Sequence, residues 1–188
     1  MTKYILHGGA TRKPVESNKQ FFREILARLP QKVKVLLVYF AREENEYEIK
    51  FEDDKHNFHS NSPDKIIDIE IANSDLEILR RQIANSDVIY VRGGNTQPLL
   101  EKMKQLPDFA DLIKDKVYAG SSAGMYLVSK YYYSNDRKRI EHGLGILPIK
   151  VFAHWDESKL DKLKQLENFG EDLPIYKLAE GEYTVIEQ

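Results

Sequence analysis

The segment Gly120-Ser121-Ser122-Ala123-Gly124 follows the apolar run Lys116-Val117-Tyr118-Ala119 and leads into Met125-Tyr126-Leu127-Val128. Strand, tight turn and helix in that order, with G-x-S-x-G at the turn, make a nucleophile elbow: the central serine sits in a strained conformation, and its small neighbours let the backbone fold sharply enough to present the hydroxyl. Ser122 is the candidate nucleophile; Ser121 is a rival but does not occupy the middle of the pattern. The N–H of Ala123 opens the following helix and is expected to face the oxyanion of a tetrahedral intermediate. A plain Gly/Ser loop closing a strand would show the same five residues, so the flanking strand and helix carry the argument.

A serine nucleophile needs a base within hydrogen-bond reach and an acid to orient that base. Of the five histidines, His154 ends the apolar run Ile149-Lys150-Val151-Phe152-Ala153 and is the expected base, on the same edge as the elbow if the strands are parallel. His142 is the runner-up, His7 stands at the end of the first strand, and His56 and His59 lie in a polar stretch. Asp136 is the expected acid, after the strand Tyr131 to Tyr133, with Glu141 and Asp156 as rivals. The loop Arg92-Gly93-Gly94-Asn95-Thr96 also follows a strand; Gly93 and Gly94 permit close backbone approach and are expected to complete the oxyanion hole, with Asn95 and Thr96 contacting substrate. No metal site is expected, because His56 and His59 with Asp53 and Asp54 have no recognised ligand spacing. Neither a dinucleotide fingerprint nor a Walker pattern occurs, and no cofactor is expected.

The elements that must position these residues alternate. Short β-branched runs at Lys3 to Leu6, Val33 to Phe40, Ile66 to Ile69, Val88 to Val91, Lys116 to Ala119, Tyr131 to Tyr133, Ile149 to Ala153, Ile175 to Leu178 and Tyr183 to Ile186 read as strands. Asn18 to Leu29, Asp75 to Ile83, Gln97 to Lys104 and Glu157 to Asn168 read as crossover helices, with Ser74 placed to cap the second. The polar stretch Arg42 to Pro63 breaks the rhythm, and the alternation of Tyr47, Ile49 and Phe51 predicts an excursion or hairpin there. The pattern predicts a three-layer α/β/α sandwich on a mainly parallel sheet.

Composition narrows the chemistry. The chain has 188 residues, 41% hydrophobic and 31% charged, with a formal net charge of −2, the profile of one globular domain over residues 1–188. Scattered Lys and Arg offer no phosphate-binding footprint, so nucleic acid is not an expected partner. With no cysteine, disulfides and thiolate chemistry are excluded and a covalent mechanism must use oxygen or nitrogen. No apolar run has the length of a signal peptide or a bilayer span, and the expected location is the cytoplasm.

Three motifs together, Arg92-Gly93-Gly94-Asn95-Thr96, Ala119-Gly120-Ser121-Ser122-Ala123-Gly124, and Gly143-Leu144-Gly145-Ile146-Leu147-Pro148 leading to His154, resemble the peptidase E group of serine peptidases, with cyanophycinase a more distant relative. The resemblance runs from the first strand to roughly Tyr183. It implies the class I glutamine amidotransferase-like, flavodoxin-like architecture, Ser122 as nucleophile, His154 as base, and the Gly93-Gly94 loop in the oxyanion hole. Asp136 matches the family's third member with a spacing about one residue different. Amidotransferases place Cys at the elbow, so the absence of cysteine favours the serine branch. Two departures stand out. Members that cleave Asp-initiated dipeptides use an Arg downstream of the active-site His, and no Arg follows Arg139; Lys159 is the available substitute, though a point charge lacks the bidentate fork. The chain also ends soon after Glu180-Gly181-Glu182, where relatives continue, and the sheet edges so exposed are expected to favour a homodimer.

The reading is a serine hydrolase cleaving small peptides. An α/β-hydrolase esterase shares G-x-S-x-G and the order Ser, Asp, His, and His7-Gly8-Gly9 is similar to a lipase oxyanion loop. A non-catalytic binding or regulatory protein on the same fold is the other alternative.

Overall fold

A computed structural model describes residues 1–188. Its main sheet has six strands in the order β10-β1-β5-β4-β2-β3. These are β1 (Lys3–His7), β2 (Lys32–Val38), β3 (Ile66–Ile71), β4 (Val88–Val91), β5 (Val117–Ser121) and β10 (Tyr183–Glu187). All neighbours are parallel except β10, which runs antiparallel along β1 at one edge.

The strands are nearly continuous apolar runs because both faces of the sheet are covered. One face carries Ile5, Val35, Leu37, Val88, Tyr90 and Ala119 against Phe21, Phe22, Ile25 and Leu26 of α1 (Glu16–Leu26) and Phe58 of α2 (Tyr47–Asn61). The other carries Leu6, Leu36, Val38, Ile89, Val91 and Tyr118. Against it pack α3 (Leu76–Asn85), α4 (Thr96–Met103), α5 (Phe109–Leu112) and α6 (Ala123–Val128). These are the three expected layers.

A second sheet of four strands, in the order β7-β6-β8-β9, lies beyond α6. It comprises β6 (Ser129–Ser134), β7 (Arg139–His142), β8 (Leu147–Ala153) and β9 (Ile175–Leu178). On its outer side Tyr131, Tyr133 and Phe152 are covered by Leu163 and Leu166 of α7 (Leu160–Glu167). Strands β6, β8 and β9 are mutually parallel, while β7 returns antiparallel as a hairpin with β6.

Two local expectations are corrected. The stretch from Tyr47 is the fifteen-residue helix α2, not a hairpin. Asp75, not Ser74, caps α3: its Oδ1 accepts the N–H groups of Glu77 and Ile78, both at 3.0 Å. Strand β7 falls in a stretch to which the sequence assigned no element; its sequence RIEH is polar because β7 is an edge strand with no buried residue.

Candidate active site

Register brings three loops to one end of the main sheet. His7 of β1 pairs with Ser121 of β5, and Val91 of β4 pairs with Gly120 of β5, so the chain after β1, β4 and β5 emerges side by side. A cavity of about 430 Å³ opens there, lined by Gly9 to Lys13, Arg42, Arg92 to Gly94, Ser122 and His154 among others. Loops at the carboxyl ends of parallel strands are where such a fold binds ligands.

Ser122 connects β5 to α6 with φ 49° and ψ −102°. A non-glycine residue held at positive φ costs energy and persists only where its surroundings enforce it. Here Ser122 N–H donates to His7 O at 2.9 Å, and its carbonyl accepts Tyr126 N–H at 3.0 Å. The two glycines of the motif are required by close approach. A Cβ on Gly120 would sit 2.6 Å from the Gly124 backbone, and one on Gly124 would sit 2.4 Å from the Val91 carbonyl oxygen.

His154 reaches the elbow from the second sheet. It follows β8 directly, also at positive φ, 53°, and its N–H donates to Gly8 O at 2.9 Å. Its Nε2 lies 3.0 Å from Ser122 Oγ, and its Nδ1 lies 3.1 Å from Glu180 Oε1. An ionised carboxylate can only accept, so Nδ1 carries the proton and Nε2 is free to accept from the serine hydroxyl. Glu180 stays ionised readily: its hydrogen bond with Lys13, then that with His154, holds its pKa below the usual glutamate range.

Glu180 belongs to the turn in which the chain passes from β9 of the second sheet to β10 of the first. Leu178 pairs with Ala153, next to His154, while Tyr183 pairs with His7. The turn is closed by Glu182 N–H donating to Ala179 O at 3.1 Å and by the Glu182 carboxylate accepting Ala179 N–H at 2.9 Å. Asp136, expected against His154, instead lies exposed in the β6–β7 turn, where it lines the same cavity and makes no hydrogen bond to His154. Its rivals are engaged elsewhere. Glu141 bonds Tyr132 and Arg139, and Asp156 caps a short 3-10 helix through Ser158 N–H and pairs with Lys159.

The Gly93-Gly94 loop abuts the elbow, since a Cβ on Gly93 would lie 3.1 Å from that of Ser122. Arg42 Nε donates to Gly93 O at 2.6 Å. In a trans peptide the C=O and the following N–H point in opposite directions, so this bond fixes the direction in which Gly94 N–H is offered. Ala123 is the first residue of α6, so its N–H has no acceptor within the helix. Thr96 lines the cavity, whereas the Asn95 side chain caps α4 by accepting Gln97 N–H at 3.1 Å.

Four cations line the cavity: Arg92, the first residue of the Gly93-Gly94 motif, and Arg12, Lys13 and Arg42, which the sequence did not single out. Helix α2 and the residue before it supply most of their partners. Glu46 faces Arg42 and Lys50, Asp53 faces Arg12 and Arg92, and Asp54 pairs with Arg92 at 2.6 Å. Asp54 and Arg92 are buried, with Tyr39 donating to Asp54 at 2.8 Å. Burial pushes Asp54 up and the Arg92 guanidinium opposes that shift. Lys159, the expected substitute for a downstream Arg, turns back to donate to the His154 carbonyl and pairs with Asp156.

The remaining histidines lie elsewhere. His142 is exposed on β7 beside Tyr131. His56 and His59 are on the exposed side of α2. His7 is buried beneath the loop after β1.

The family model for peptidase family S51 matches residues 4–188. No curated protein matches the chain. Among solved structures, a putative peptidase E protein from Listeria monocytogenes EGD-e superposes with a TM-score of 0.70 at 20% identity, covering 99% of this chain and 94% of that one. A peptidase from an acI-B1 actinobacterium superposes with a TM-score of 0.67 at 16% identity, covering 99% of this chain and 83% of that one. At such identities the superpositions establish the mixed, mostly parallel α/β fold of peptidase E. The family match over nearly the whole sequence goes further: this chain belongs to peptidase family S51 and is a serine-type peptidase.

Proposed function

We propose that the chain hydrolyses amide bonds of short peptides through Ser122, His154 and Glu180. The observation that carries this reading is the position of the His154 ring, with Ser122 Oγ at 3.0 Å from one nitrogen and Glu180 Oε1 at 3.1 Å from the other. His154 Nε2 takes the hydroxyl proton as Ser122 Oγ bonds to the scissile carbonyl carbon, and Glu180 stabilises the imidazolium that forms. The N–H groups of Ala123 and Gly94 stabilise the oxyanion. His154 then gives its proton to the leaving amine as the C–N bond breaks. Water, deprotonated by His154, releases the acyl group and restores Ser122.

In this reading Asp136 is a cavity-wall carboxylate that faces substrate, as Thr96 does, and Asn95 shapes the loop by capping α4. Arg12, Lys13 and Arg42 supply positive charge to the wall, which favours a peptide with an acidic group near the scissile bond. The reading further takes the protein as one cytoplasmic domain whose partners are small peptides and not nucleic acid, and its exposed edge strands β3 and β7 as surfaces for a homodimer. No helix is long and apolar enough to cross a membrane.

The test is release of free amino acids from a panel of dipeptides by the native chain and by Ser122→Ala. Hydrolysis that the substitution abolishes supports the proposal. Hydrolysis that survives it, or none on any acidic or neutral dipeptide, overturns it.

A further inference from the structure

The loop after β1 touches every member of the proposed triad. His7 O accepts Ser122 N–H, Gly8 O accepts His154 N–H, each at 2.9 Å, and Gly9 O accepts Gly181 N–H at 3.0 Å, next to Glu180. Lys13, at the end of the loop, pairs with Glu180. The His154 ring rests on Gly9: a Cβ there would lie 2.2 Å from its Cε1, and Gly9 has φ +115°. Whatever fixes Gly9 therefore fixes the plane on which the base sits.

What fixes it is a buried pair. His7 is fully buried, and its Nδ1 accepts Gly9 N–H at 3.0 Å. That nitrogen must be unprotonated, so Nε2 carries the proton and donates to Asn18 Oδ1 at 2.9 Å. Asn18, 3% exposed on α1, uses both amide hydrogens on the same loop, donating to Ala10 O at 2.9 Å and Lys13 O at 2.8 Å. Phe21 packs on the His7 ring with centroids 4.5 Å apart. The ring proton of His7 ties the pair together, and its free ring nitrogen and both Asn18 amide hydrogens are spent on holding residues 9 to 13, an allocation that a residue serving only to fill the core does not need.

We propose that His7 and Asn18 are positioning residues for catalysis, holding the Gly9 platform so that His154 Nε2 stays in reach of Ser122 Oγ. This rests on the proposed triad and adds residues to it that touch neither substrate nor the reacting atoms. A displacement of about 1 Å in such a platform is enough to cost on the order of a hundredfold in rate.

The test measures the rate at which a fluorophosphonate labels Ser122 in the native chain, His7→Leu, His7→Asn and Asn18→Ser, with a thermal melt of each. His7→Leu removes the acceptor for Gly9 N–H, whereas Asn at this position restores it as an Asx turn. The expected result is a cooperative melt for His7→Leu with labelling slowed about tenfold or more, and recovery to within about threefold of native in His7→Asn. If His7→Leu fails to fold, Asn18→Ser, which keeps the helix and loses both loop anchors, is expected to slow labelling similarly while still melting cooperatively. Native-rate labelling in a folded His7→Leu or Asn18→Ser overturns the inference. So does a His7→Asn as slow as His7→Leu, or unfolding of both His7→Leu and Asn18→Ser. Failure of the native chain to label at all overturns the triad reading itself and this inference with it.

Discussion

Glu180 and His154 are 26 residues apart in sequence and 3.1 Å apart at Oε1 and Nδ1. They meet because β8 and β9 run parallel and the chain turns immediately after β9 toward β10. The carboxylate that orients the base thus comes from the junction between the two sheets.

Glu180→Gln keeps the shape of that carboxylate but lets the amide donate to Nδ1, favouring the tautomer in which Nε2 carries the proton and cannot accept one. Labelling of Ser122 by a fluorophosphonate is expected to slow by about a hundredfold or more. Asp136→Asn, which does not touch His154, is expected to stay within about threefold of native. The reverse ranking would return the orienting role to Asp136.

His7 links the site to pH. Burial lowers its pKa from the ordinary 6.5 to about 4, a shift opposed by its bond to Asn18 and reinforced by the nearby His154. Between those values the unfolded chain binds a proton that the native chain refuses, so stability is highest above pH 6.5 and declines as the pH falls toward 4. The loss attributable to this one group is roughly 3 kcal/mol. Urea unfolding at pH 7 and pH 4 is expected to show the native chain losing more stability than His7→Asn by about that amount; equal losses would contradict the assignment.

The elbow glycines have no room for a side chain. Gly124→Ala places its Cβ 2.4 Å from Val91 O, a backbone atom of a central strand that cannot move aside. The expected cost is about 3 kcal/mol or more, read from chemical denaturation, together with loss of Ser122 labelling. A stable Gly124→Ala that labels normally would show that the turn is looser than described.

The buried pair under the Gly93-Gly94 loop gives a third stability prediction. Arg92→Met leaves the Asp54 carboxylate buried without its cation and is expected to cost about 3–5 kcal/mol. Adding Asp54→Leu to Arg92→Met is expected to recover part of that cost, because the unpaired charge is gone. An Arg92→Met that unfolds at the native urea midpoint would mean the pair contributes nothing.

These residues also show what the sequence made legible. The elbow could be read because its geometry is local: a buried strand, five small residues and a helix, in an order that needs no distant partner. His154 could be read as the end of an apolar run, although it arrives from the second sheet. Glu180 could not, since nothing in Ala179-Glu180-Gly181-Glu182 distinguishes it from a surface turn until strand pairing sets it beside His154. Its one signal was the polar turn between the last two predicted strands. Helix α2 was hidden for a different reason. Its inward side carries Lys50, paired with Glu46, and Asp53 and Asp54, paired with Arg92, so its buried side is partly charged and its apolar periodicity is lost. Asn18 and His7 were hidden likewise: a polar residue within an amphipathic helix and a histidine at a strand end identify themselves only through each other.

The most direct test of the account is intact-mass analysis after incubation with a fluorophosphonate, comparing the native chain with Ser122→Ala and His154→Ala. The account predicts a single adduct on the native chain, none on Ser122→Ala, and labelling of His154→Ala slowed by about a hundredfold or more. No adduct on the native chain, an adduct that persists in Ser122→Ala, or native-rate labelling of His154→Ala would contradict it.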